Sequence, residues 1–245
     1  MELDHVSKVF GHSGKALHAL DDVTLDVAPG EFVCLVGASG CGKTTLLHLI
    51  AGLEEPTAGR IGVHGGPATV MFQESALFPW LTVAGNVDLA LRLRQMSSAH
   101  RAETVDALLD LVHLGDFADK RPHELSGGMR QRVALARALA QQVEILLMDE
   151  PFGALDAMTR DVLHVELQRL WADTGLTVVF VTHNVREAVR LGDRVVLLSS
   201  RPGRVVEQFD VDIDRPRRIE SHEVADLSVT ITERLMTEVK RHGPH

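Results

Sequence analysis

The sequence predicts an α/β fold: a parallel sheet at the core, an antiparallel β-subdomain beside it, and a helical subdomain. Three observations predict it. Apolar runs at 143–150 and 176–182 are short and nearly unbroken, as parallel strands buried on both faces are, and 31–36 reads as a short buried strand. Residues 1–36 and 59–72 alternate short β patterns with glycine turns, which points to an antiparallel sheet flanking the core. Residues 83–141 carry mainly helical spacing, clearest at 107–112. A chain of 245 residues with 45% hydrophobic content holds one such unit with sublobes. The expected division is 1–82 and 143–203 for the core with its β-subdomain, 83–142 for the helical subdomain, and 204–245 for a C-terminal tail. That tail reads as a strand near 204–211, a basic cluster at 215–218 and an amphipathic helix near 224–241.

The first strand leads into Gly37-Ala-Ser-Gly-Cys-Gly-Lys-Thr44, and helical spacing follows to Ala51. A strand, a glycine turn and a helix N-terminus aim several backbone N–H groups at one point, where the helix dipole adds partial positive charge. Polyphosphate is the natural occupant. Gly37, Gly40 and Gly42 let the backbone approach it, with Ala38, Ser39, Cys41 and Thr45 counted in the same nucleotide-binding set. Lys43 is expected to reach the β- and γ-phosphates, and the Thr44 hydroxyl to ligate Mg2+.

Further along, the run 70–72 ends in Gln73, a polar residue at a strand tip placed to touch Mg2+ and water while sensing a neighbour. Leu125-Ser-Gly-Gly-Met-Arg-Gln-Arg132 then runs into a strong helix former at 133–140. Ser126 is the expected N-cap, and Gly127 and Gly128 leave first-turn N–H groups open, as a second anion-binding terminus requires. The same text also suits an ordinary capped helix.

The run 143–150 ends in Asp149 and Glu150, at the C-terminal end of a strand, where ligands collect in open α/β sheets. Asp149 is expected to hold Mg2+, and Glu150 to act as general base on the attacking water. His183 closes the strand at 176–182 and is placed to bond the γ-phosphate or to fix that water. With 13 histidines in the chain, spacing alone gives it no stronger claim than a structural histidine has.

Together these motifs resemble the ATP-binding cassette (ABC) ATPases, in the family's order and over nearly the whole chain. The phosphate loop stands at 37–44, a glutamine loop at Gln73, the LSGG motif at 125–128, the magnesium strand at 145–150, a D-loop at 153–156 and a switch histidine at His183. The resemblance implies a RecA-like P-loop NTPase core, with ATP and Mg2+ as the bound species. It also implies that Ser126, Gly127 and Gly128 of one subunit close over the ATP held by the phosphate loop of another, in a homodimer formed on ATP binding. Met129, Gly153 and Asn184 depart from the family's usual Gln, Ser and Asp, and none of these removes a group assigned to chemistry. The aromatic that stacks on adenine is usually Tyr; this chain has none, and Phe10 stands in its place, either as that stacking ring or as a core aromatic.

The text at 78–83, with 121–132 and 197–203, is similar to the nitrate/sulfonate/taurine importer subfamily. That likeness implies two membrane permease subunits, an extracytoplasmic solute-binding protein reached only indirectly, and a groove bordered by 74–83 that accepts a coupling helix. The competing expectation is a soluble ABC ATPase acting on DNA or assembling a macromolecular complex. A net charge of −9 and the lack of heptad arms oppose it, and nucleic acid is not expected as a partner. A regulator that binds nucleotide without turnover is opposed by the presence of Glu150 and His183. No apolar run approaches the roughly 18 residues of a membrane span, and the N-terminus lacks a secretory pattern. The expected location is therefore cytoplasmic, peripheral on the inner face of the membrane. Cys34 and Cys41 do not suggest a disulfide framework, and Cys41 reads as a thiol that nucleotide would protect. The cluster at 215–218 reads as a solvated turn, or less readily as a contact for an anionic lipid or partner.

Overall fold

The structure is a computed structural model that describes residues 1–11, 16–64, 68–153 and 155–241. Its strands are β1 (Glu2–Phe10), β2 (Leu17–Asp26), β3 (Phe32–Val36), β4 (Ala58–Gly62), β5 (Ala68–Met71), β6 (Ile145–Asp149), β7 (Thr177–Val181), β8 (Arg194–Leu198) and β9 (Val205–Asp210). The α-helices are α1 (Lys43–Ile50), α2 (Val83–Leu93), α3 (Ser98–Leu111), α4 (Gly127–Leu139), α5 (Ala157–Thr174), α6 (Val185–Leu191) and α7 (His222–Arg241).

One sheet runs in the order β5-β6-β7-β3-β8-β9, parallel except for the antiparallel pair β8–β9. Strand β3 shows why its sequence is apolar without alternation. Phe32, Cys34 and Val36 pack into the cluster beneath α2, α3, α4 and α6, whereas Val33 and Leu35 pack into the cluster shared with α1 and the antiparallel sheet. Both faces are covered, so both residue sets are buried.

The antiparallel sheet is smaller than expected, with the order β2-β1-β4. Strands β3 and β5 lie within the spans assigned to it by sequence, yet β3 joins the parallel sheet between β7 and β8, and β5 joins it beside β6. The tail also enters the core. Strand β9 completes the large sheet against β8, and α7 packs on α6 through Val224 and Ile231.

The solvated-turn reading of 215–218 is overturned. Arg217 is 5% exposed, and its guanidinium donates to the carbonyls of Ile213, Val211, Val189 and Gly192, the last two at the C-terminal end of α6. Burial, with the Arg215 charge second, pushes the Arg217 pKa down to about 10, so the group stays charged at neutral pH. Arg215 pairs with Asp193 at 2.6 Å and lies over the Trp171 ring, its guanidinium carbon 4.4 Å from the centroid. The positive charges answer the carbonyl end of a helix, which a sequence pattern does not display.

Candidate active site

Strands β3, β6 and β7 are neighbours in the sheet, so their C-terminal ends deliver the phosphate loop, Asp149-Glu150 and His183 to one place. They line a cleft of about 430 Å³ with Phe10, Ser39, Gly40, Gly42, Lys43, Thr44, Thr45, Gln73 and Arg201.

The phosphate loop ends at Gly42, the N-cap of α1, with φ 103° and no side-chain hydrogen bond on the first-turn N–H groups. A Cβ there would lie 2.8 Å from the Ala19 carbonyl oxygen, so glycine is required both by φ and by space. Lys43 is 7% exposed, and its ammonium donates to the carbonyls of Gly37 (2.8 Å) and Ala38 (3.0 Å). Those two residues thus hold the lysine rather than line the cleft. The Thr44 hydroxyl donates to Asp149 Oδ2 at 2.7 Å. Asp149 has no ion-pair partner among the described residues, and burial raises its carboxyl above the ordinary range. The Thr44 bond opposes that shift, the Glu150 charge adds to it, and His48 and Lys43 work against it. A hydroxyl and a carboxylate side by side are hard oxygen donors of the kind that would hold Mg2+.

Glu150 takes the left-handed conformation, φ 45°, and its N–H donates to the Val181 carbonyl at 3.0 Å. That backbone costs roughly 1–2 kcal/mol for a residue with a Cβ. It turns the carboxylate out of the strand direction, where Oε2 accepts from His183 Nδ1 at 3.1 Å. The Nδ1 proton is then committed to Glu150, and Nε2 is left for another partner.

Phe10 lies half-buried on the cleft wall with Leu17 and Ala19, outside both core clusters, and Lys8 Nζ sits 4.9 Å from its ring centroid. Of the two readings, the core one fails. Cys41 is 1% exposed and belongs to the core cluster under α1, so its thiol is shielded by protein and needs no nucleotide to protect it. Gln73 is exposed at the cleft, and its carbonyl accepts from Gln131 Nε2 of α4. Arg137 of the same helix donates to the carbonyls of Ala76 (2.7 Å) and Ser75 (3.0 Å), so the segment after Gln73 is strapped to the helical lobe. Ser126, Gly127 and Gly128 do not line the cleft; they form the separate N-terminus of α4, where Ser126 Oγ accepts from Met129 N–H at 3.2 Å. Part of the expected D-loop, Ala154, lies outside the described residues.

Sequence reasoning missed three contributors. Arg201 lines the cleft and its Nε donates to the Gly40 carbonyl at 3.0 Å; nothing in the 197–203 text marks it for that place. Gln131 and Arg137 were invisible as straps because their partners are backbone carbonyls far away in sequence.

Residues 20–153 match the protein family described as ABC transporter. The taurine import ATP-binding protein TauB of Mesorhizobium japonicum is 50% identical over 220 residues, covering 87% of this chain and 85% of the relative. The nitrate import ATP-binding protein NrtD of Synechocystis is 44% identical over 87% of this chain and 83% of the relative. A solved dimeric structure of the ATP-binding cassette MJ0796, in a post-hydrolysis state bound to ADP and Pi, superposes with a TM-score of 0.80 at 33% identity, over 87% of this chain and 99% of that one.

Proposed function

Because the chain belongs to the ABC transporter family of ATP-binding proteins, we propose that it is the ATP-hydrolysing subunit of an importer for taurine, nitrate, a sulfonate or a related small solute. The ATPase itself is the family's activity. The observation that carries the site assignment is the convergence, in one cleft, of Lys43, the Thr44–Asp149 pair at 2.7 Å and the His183–Glu150 pair at 3.1 Å.

In this reading the triphosphate lies along the α1 N-terminus, where Gly40, Gly42, Lys43, Thr44 and Thr45 offer N–H groups and Lys43 exchanges its carbonyl partners for phosphate oxygens. Phe10 stacks on the base. Thr44 and Asp149, with Gln73, would hold Mg2+, which supplies neutralisation of phosphate charge. Glu150 is held by the His183 Nδ1–H and accepts a proton from water. The water oxygen bonds to the γ-phosphorus as the bond from that phosphorus to the β–γ bridging oxygen breaks, giving ADP and inorganic phosphate.

The LSGG terminus of a second copy completes the site, so ATP closes a homodimer. The 83–142 lobe moves with it, carrying the Gln73 segment through Gln131 and Arg137. Next to that strap, Trp80 is 68% exposed beside Phe78, which suits the groove for a permease coupling helix. No helix among the described residues is long and apolar enough to cross a membrane, so a permease is the proposed route by which the subunit sits on the cytoplasmic face. The solute-binding protein acts through that permease.

Glu150→Gln is expected to keep Mg-ATP binding and to lose turnover by at least about 100-fold in a phosphate-release assay; wild-type turnover would remove Glu150 as base. Pull-down of the chain from solubilised membranes is expected to recover permease subunits, and recovery without any would oppose the importer reading.

A further inference from the structure

Behind Glu150 and His183 lies a buried polar pair that the reaction as described does not use. His164 of α5 is 1% exposed and Glu187 of α6 is 6% exposed, with Nε2 and Oε1 2.7 Å apart. Arg190 Nη1 donates to His164 Nδ1 at 3.4 Å while paired with Asp161. The His164 proton therefore sits on Nε2 and points at Glu187. An ionisable pair is costly to bury and persists where each atom is satisfied and the geometry matters.

Each member reaches one arm of the proposed active site. The second Glu187 oxygen accepts from the Thr182 hydroxyl, and that hydroxyl accepts from Asn184 N–H at 3.0 Å. Asn184 Oδ1 in turn accepts from Glu187 N–H at 3.2 Å. These bonds tie the residues on both sides of His183. On the other arm, the His164 ring meets Phe152 at 5.3 Å between centroids, at 64°, and Phe152 is 2% exposed two residues after Glu150.

We propose that His164 and Glu187 are positioning residues that set the His183–Glu150 contact from behind, by anchoring the Thr182–Asn184 turn and the turn after Glu150 to one buried hydrogen bond. The inference rests on Glu150 and His183 acting as assigned above. The two arms leave different strands, β6 and β7, and His183 itself is 69% exposed on its side chain, so the anchoring described comes from the buried side of the pair.

The test uses His164→Ala, Glu187→Gln and Thr182→Val in the full chain, each assayed below its unfolding transition, with Glu150→Gln alongside. The expected result is a kcat lower by roughly 10- to 100-fold, with KM for ATP and fluorescent-nucleotide affinity within about twofold of wild type. His164→Gln keeps an N–H donor and is expected to recover most of the loss. Thr182→Val keeps the side-chain shape and separates the bond from packing should the buried variants fold poorly. Unchanged kcat in Thr182→Val and Glu187→Gln, or no recovery in His164→Gln relative to His164→Ala, overturns the proposal. An active Glu150→Gln would sink the underlying reading instead, which keeps the two failures distinct.

Discussion

The N-termini of α1 and α4 are both glycine-rich, α1 in the loop before it and α4 in its own first turn, yet they stand in different surroundings. At α1 the cap is Gly42, with no side chain on the N–H groups, and the charged and polar residues needed to receive a triphosphate stand around it. At α4 the Ser126 hydroxyl caps Met129 N–H, and Gly128 faces Leu155, where a Cβ would come within 2.8 Å of a methyl carbon. Gly127 next to it has open space, with only an Arg130 nitrogen near, at 3.8 Å. The first terminus stands among the residues that would receive a triphosphate, whereas the second lies outside that cleft. That asymmetry is what a site divided between two copies requires, and a single-chain site would not leave the second terminus outside the cleft.

The comparison breaks most severely at α1. Lys43→Ala is expected to weaken ATP binding by the isolated chain by about 100-fold or more, read by fluorescent-nucleotide titration, because the buried cation that would turn to the phosphates is lost. Tight binding in that variant would mean that the α1 terminus is not the nucleotide's primary seat. A smaller effect is expected where the two termini are linked. Gln131→Ala removes the strap from α4 to the Gln73 carbonyl and is expected to lower turnover several-fold with nucleotide affinity unchanged, since one hydrogen bond of roughly 1 kcal/mol is lost away from the ligand. A matching fall in affinity would place Gln131 in the binding site rather than between lobes.

Much of the cleft was legible because phosphate chemistry is locally encoded. The phosphate loop, Asp149, Glu150 and His183 each follow an apolar strand, and a strand's C-terminal end predicts where its next residue goes. Ser126 was legible as a cap for the same local reason, and its capping bond is present. What escaped depends on partners distant in sequence. The sheet membership of β3 and β5 is set by pairing across more than 70 residues, which no short pattern reports. Arg217 looked like a solvent-facing charge until four carbonyls surrounded it, and His164 looked like one histidine among many until Glu187 came to 2.7 Å. A lone aromatic such as Phe10 carries no direction in sequence, and its place on the cleft wall follows from the pairing of β1 with β2 at Leu17.

The division of the site between two copies is tested most directly by sedimentation of Glu150→Gln with Mg-ATP, alone and combined with Ser126→Arg. The account predicts a dimer of about twice 26.8 kDa for the single variant. For the double variant it predicts a monomer that still binds ATP with unchanged affinity. A double variant that dimerises as fully as the single one would contradict the claim that the α4 terminus closes over a partner's nucleotide.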